Sequence, residues 1–207
     1  MNAKGNSNKS SHLAAKRAKQ DKKEERREAH TRYNNREPCL LVIDNPSLNS
    51  NWYGDDFTTL PTIERFPYQR LAACCRVYLR QRYPRKGYNL ESIVFANQRE
   101  HQDLEFFKRL AEGPDWSLFR KPKVGNSDID ENIQQYIDFY LESSPAMHIF
   151  LVGNDLRNHG PIADRLVSEN IGVTLLCFFD KFYDSTLRAL QEQTSYDVFD
   201  IREFMGI

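Results

Sequence analysis

The chain has 207 residues, 40% hydrophobic and 28% charged, with a formal net charge of zero. That length suits one ordinary domain with an appendage, since roughly 100–200 residues make a domain. No run approaches the roughly 18 apolar residues of a membrane span, and the polar start lacks a secretory pattern, so the expected setting is intracellular, in the cytoplasm, with no membrane partner.

Charge is unevenly spread. Residues 1–37 carry eleven Lys/Arg against five Asp/Glu, a net of +6, and the rest carries eighteen against twenty-four, a net of −6. The expected organisation is a basic tail, disordered or helical, over 1–37 and a folded domain over 38–207. Residues 1–12 have almost nothing to bury. Residues 13–32 are rich in Ala, Lys, Glu and Arg, good helix formers with few large apolar side chains. Such a tail suits phosphate contacts or simple solubility, and it is where a protein partner or a second copy of the chain would attach. The cysteines Cys39, Cys74, Cys75 and Cys177 form no C-x-x-C and have no paired His spacing, which argues against a structural zinc and a disulfide scaffold. Cys39 and Cys177 sit in apolar runs and read as small buried hydrophobes.

At Pro38 the texture changes. Residues 39–43 are a continuous apolar run closed by Asp44, the pattern of a strand buried on both faces. Similar runs recur at 92–96, 116–119, 148–152, 172–179 and 196–201. A long aperiodic loop is expected over 46–66, carrying Trp52, Tyr53, Asp55, Asp56 and Phe57; a loop of that length signals a lid. Helical stripes lie between the strands. Leu71, Cys74, Cys75, Tyr78 and Leu79 make one within 70–82, and Leu104, Phe107, Leu110 and Ala111 a second. Ile129, Ile133, Ile137, Phe139 and Tyr140 make a third, and Ile162, Leu166 and Val167 a fourth that starts at Pro161 after Gly160. A last helix is expected over 184–192, around Leu187 and Leu190. Alternation of this kind gives βαβ crossovers and a parallel sheet covered on both faces. The predicted fold is therefore a Rossmann-like three-layer α/β/α sandwich with a mostly parallel sheet of about six strands.

Ligands of such sheets bind at the carboxyl ends of the strands. Asp44 and Asn45 follow the first strand, Asp128 and Asp130 follow the third after Lys123, and Gly153-Asn154-Asp155 follow the fourth. Three strand ends thus deliver an acid to one edge, and like charges placed together need a compensating cation. Oxygen donors without converging Cys or His select a hard divalent ion, Mg²⁺ or Mn²⁺. An ion so held supports phosphodiester hydrolysis. Each acid alone has a structural alternative: Asp44 as a strand end, Asp128 as a helix cap, Asp155 as a turn residue. No G-x-G-x-x-G, G-x-x-x-x-G-K-[ST] or G-x-S-x-G is present.

The ordered acids resemble the NYN domain of the PIN-like ribonuclease superfamily over about residues 40–201. The resemblance rests on Leu41-Val42-Ile43-Asp44-Asn45, on the Lys123 loop leading to Asp128 and Asp130, and on Leu151-Val152-Gly153-Asn154-Asp155. Asp155-Leu156-Arg157-Asn158-His159 is similar to a stretch of the protein-only RNase P and Regnase-like branches. Ser47 stands where relatives commonly carry Asn, and Arg157 where many carry another acid. The resemblance implies a metal-dependent endoribonuclease acting on RNA, with Asp44, Asp128 and Asp155 as metal ligands and Asp130 as a supporting acid. Asn45, Asn154, Arg157 and His159 would bind substrate. Two alternatives stand beside it: an NYN-type RNA-binding module that keeps the fold without turnover, favoured by Arg157, and a receiver-like signalling domain, which also gathers acids at strand ends and for which Lys181 follows the fifth strand.

Overall fold

In the computed structural model, which describes residues 36–52, 66–97, 115–121, 129–181, 189, 192 and 195–207, the run beginning at Cys39 belongs to strand β1 (Glu37–Asp44). Its alternate side chains enter two different cores. Cys39, Leu41 and Ile43 lie in one, and Leu40 and Val42 in the other. A strand whose every apolar side chain is buried must be covered above and below, and its backbone groups must be paired on both edges. Both conditions hold. β1 pairs in parallel with β2 (Tyr88–Asn97) on one edge and with β4 (His148–Val152) on the other. β3 (Trp116–Lys121) extends the sheet beyond β2; β5 (Gly172–Cys177) and β6 (Asp197–Asp200) extend it beyond β4. The order is β3-β2-β1-β4-β5-β6, with every pairing parallel.

Helices cover both faces. α1 (Asn45–Trp52) and α2 (Tyr68–Arg82) lie on the face of Leu41, to which they contribute Leu48, Leu71, Cys75 and Leu79. The short α5 (Ile201–Met205) joins them there through Ile201 and Met205. α3 (Ile129–Ser143) and α4 (Leu156–Ser168) cover the face of Leu40 with Ile133, Ile137, Ile162, Ala163 and Leu166. At about 1.5–3 kcal/mol per fully buried large apolar side chain, these two cores are the main favourable term in folding. The result is the expected three-layer α/β/α sandwich with a six-stranded parallel sheet. No described helix is long and apolar enough to cross a membrane.

Several expected boundaries move, each for a physical reason. Residues 45–52 are helical rather than the start of an aperiodic loop: the Ser47 N–H donates to Asp44 Oδ1 at 3.3 Å, the N-cap bond that starts α1. Residues 53–65, with Tyr53, Asp55, Asp56 and Phe57, lie outside the described residues. The fourth helix starts at Leu156, so Pro161 sits inside it rather than at its first position. Gly160 eases this, because the proline ring crowds the Cβ of the residue before it and glycine has none. Phe139 is 68% exposed; it lies two positions from Ile137, and residues two apart on a helix do not share a face. Ile201 opens α5 instead of closing β6, because Asp200 Oδ1 accepts the N–H groups of Arg202 at 2.7 Å and Glu203 at 3.3 Å. Glu37, assigned to the tail by composition, is the first residue of β1. The tail itself, the helix around residues 104–111 and most of residues 184–192 lie outside the described residues.

Cys39 and Cys177 are fully buried free thiols, each pushed up to about 12 chiefly by burial. His148, the first residue of β4, is also fully buried, with Nδ1 3.1 Å from the Tyr83 hydroxyl and Nε2 2.9 Å from Thr174 Oγ1. Burial pulls its imidazole down to about 3, so it is neutral in the folded protein. Below the usual histidine value of about 6.5, the unfolded chain binds a proton that folded His148 refuses. The contribution to stability is complete above that pH and is lost as pH falls toward 3. Urea denaturation of wild type and His148→Gln between pH 6.5 and 4.5 should show a shallower acid slope in the variant, by about 1 kcal/mol per pH unit.

Candidate functional site

The chain runs outward from β1 through β2 to β3, then returns to the other side of β1 for β4. The strand order therefore switches direction between β1 and β4, and the crevice outside their carboxyl ends is where open α/β sheets bind ligands. Ile43 pairs with Val152, so Asp44 stands beside Gly153, and Asn154 and Asp155 follow directly. The sheet thus delivers two of the expected acids to the two sides of the switch point. β3, α3 and β4 form a parallel crossover, which places the start of α3, with Asp130 as its second residue, at the same edge. The side chains of Asp130 and Arg157 and the whole of Asp128 lie outside the described residues. Among the described residues, no group of three or more His, Cys, Asp or Glu is arranged to hold a metal ion.

Asp44 is only 3% exposed. Its Oδ1 caps α1 through Ser47, and its Oδ2 faces His159 Nε2 at 3.9 Å. Asp155 is half-buried and precedes α4; its Oδ2 accepts from Asn158 Nδ2 at 3.0 Å. Its carbonyl accepts the N–H groups of Asn158 at 3.2 Å and His159 at 2.9 Å, which winds the first turn of α4 and sets His159 back toward β1. His159 is 1% exposed. Burial pulls its imidazole down to about 4 against the opposing pull of the Asp155 charge, so at neutral pH it faces Asp44 as a neutral ring. Its Nδ1 has no hydrogen-bond partner among the described residues. An exposed imidazolium gripping phosphate is therefore not what the fold builds: the ring sits beneath the surface, against a carboxylate.

Two other expected substrate groups also turn inward. Asn45 is fully buried, and its Oδ1 accepts from the Tyr68 hydroxyl. The Asn154 carboxamide is committed to backbone: its Oδ1 accepts from Phe178 N at 2.8 Å and its Nδ2 donates to Phe178 O at 3.5 Å. That pair ties the end of β4 to the end of β5, while Asn154 N donates to Ser47 Oγ at 2.7 Å and ties it to α1. Asn45 is buried against Tyr68 and Asn154 braces the turn before Asp155.

Two further residues hold the site together. Ser47 links Asp44 to Asn154, and the readable capping signal is Asp44 itself, directly before the helix. Gly153 is needed for close approach. A Cβ there would lie 2.6 Å from His159 Cε1 and 3.1 Å from Asp44 Cβ. A glycine closing a strand marks such an approach. The Tyr68–Asn45 bond spans 23 positions and left no sequence signal.

No family model and no curated protein matches the chain. Its structure is similar to the crystal structure of a protein of unknown function from Vibrio parahaemolyticus, at a TM-score of 0.49 and 13% identity, over 80% of this chain and 94% of that one.

Gly153→Ala should destabilise the protein by about 1–3 kcal/mol, the usual effect of overpacking, because the added Cβ would strike the buried His159 ring and buried Asp44. Urea denaturation against wild type measures it; unchanged stability would mean that the ring moves freely.

Proposed function

We propose that the protein is a metal-dependent endoribonuclease of the NYN type. Its site is Asp44 and Asp155 at the switch point, completed by Asp128 or Asp130. The observation that carries this reading is Asp44, a nearly buried carboxylate at the end of the central strand, beside the turn that carries Asp155. Capping α1 does not require its charge, since Asn caps a helix as well as Asp does. A second acid across the strand gap is an electrostatic cost to folding that a bound cation offsets. The ordered acids of the NYN resemblance agree with this placement.

The donor chemistry fits Mg²⁺ or Mn²⁺. Both acids offer carboxylate oxygens, and Cys177, which ends β5, holds its proton far above neutral pH and supplies no thiolate. Such an ion supplies charge neutralisation at a phosphate oxygen and a lowered pKa for water. The chain contributes the rest. Asp44 at the end of β1 and Asp155 at the start of α4 would hold the ion, and Ser47 and Asn154 brace the turn after β4. The start of α4 is a helix N-terminus, where an incoming phosphate is favoured.

Purified protein should degrade a mixed RNA pool with Mn²⁺ or Mg²⁺ and leave it intact in EDTA. Asp44→Asn keeps the cap but removes the charge, so it should melt within a few degrees of wild type while cleavage falls by about 100-fold or more. Asp155→Asn should behave alike. Retention of RNA without metal-dependent loss would instead identify a binding module.

A further inference from the structure

Two fully buried histidines invite comparison. His148 has a hydroxyl at each ring nitrogen and is accounted for by packing. His159 is different: one nitrogen lies 3.9 Å from the Asp44 carboxylate and the other lacks a partner among the described residues. A core histidine kept only for volume gains nothing from an unpaired nitrogen, since leaving a buried polar atom unsatisfied is unfavourable. The backbone has also been cleared for this ring. Gly153 carries no Cβ where one would strike both His159 Cε1 and Asp44. Three elements thus converge to seat one imidazole on one carboxylate oxygen: the end of β1, the turn after β4 and the first turn of α4.

We infer that His159 is a positioning residue for Asp44, with Nε2–H directed at Oδ2 and Gly153 as the clearance that admits the ring. Ser47 N–H donates to Oδ1 at 3.3 Å, and His159 Nε2 stands 3.9 Å from the other oxygen. A shortening of that contact when the site is loaded engages both oxygens and gives the carboxylate one orientation. Orientation of a ligand by its own partner commonly changes metal affinity by 10–100-fold. The separation of 3.9 Å exceeds a direct hydrogen bond, and contacts of this kind are often long before a site is loaded. The inference rests on the ribonuclease reading only through Asp44 as a holder of the ion.

The test is Mn²⁺ titration of the full chain by calorimetry, with melting curves alongside, for wild type, Asp44→Asn, His159→Gln, His159→Asn and His159→Leu. Gln places a donor near the position of Nε2, and Asn places one near Nδ1, away from Asp44. His159→Gln should bind Mn²⁺ within about 3-fold of wild type, whereas His159→Asn and His159→Leu should lose about 10–100-fold. A residue that only fills space would not separate Gln from Asn. If His159→Leu fails to fold, the Gln–Asn comparison decides alone. Equal Mn²⁺ affinity for His159→Gln and His159→Asn, with Asp44→Asn impaired, overturns the positioning role and leaves the ribonuclease reading standing. No Mn²⁺ uptake by the wild type overturns both.

Discussion

The whole arrangement depends on one strand being buried on both faces and paired on both edges. From Cys39 to Ile43 every side chain of β1 enters a core, and every backbone group has a parallel neighbour available on β2 or β4. Nothing polar can be placed along that strand without loss of burial. Polarity returns at Asp44, where the strand reaches the sheet edge and the chain turns into α1. The interior therefore dictates where the first carboxylate can stand, and the pairing of Ile43 with Val152 dictates what stands beside it.

Around that point the polar groups form a linked set. Ser47 joins Asp44 to the backbone of Asn154, and Asn154 joins the end of β4 to Phe178. Asp155 winds the turn that returns His159 to Asp44. Several of these contacts join residues far apart in the chain, and the set crosses three strand ends. Among the described residues, the Ser47 N–H and the neutral His159 ring stand at Asp44, and the Asn158 amide stands at Asp155. These contacts fix the geometry of the two acids at the switch point.

The far end of the sheet shows the same residue type used differently. Asp200, at the end of β6, accepts from Arg202, Glu203 and Phe179 backbone N–H groups and is satisfied as a helix cap. It also stands at a strand end, but at the sheet margin and away from the switch point. Position relative to the reversal of strand order separates the two roles, and the residue type alone does not.

By itself the sequence determined the six strands, the α/β/α layering and the edge on which Asp44 and Asp155 stand, because continuous apolar runs and helical stripes are local patterns. It misread the start of α1, where a cap and one buried leucine replace periodicity, and the start of α4, where Gly160 lets a proline sit within a helix. Only the tertiary structure decided the strand order and the roles of Asn45, Asn154 and His159. These turn inward because their partners, Tyr68, Phe178 and Asp44, lie 23, 24 and 115 positions away in the chain. No local pattern encodes a contact at that range; the packing of β1 between its neighbours creates it.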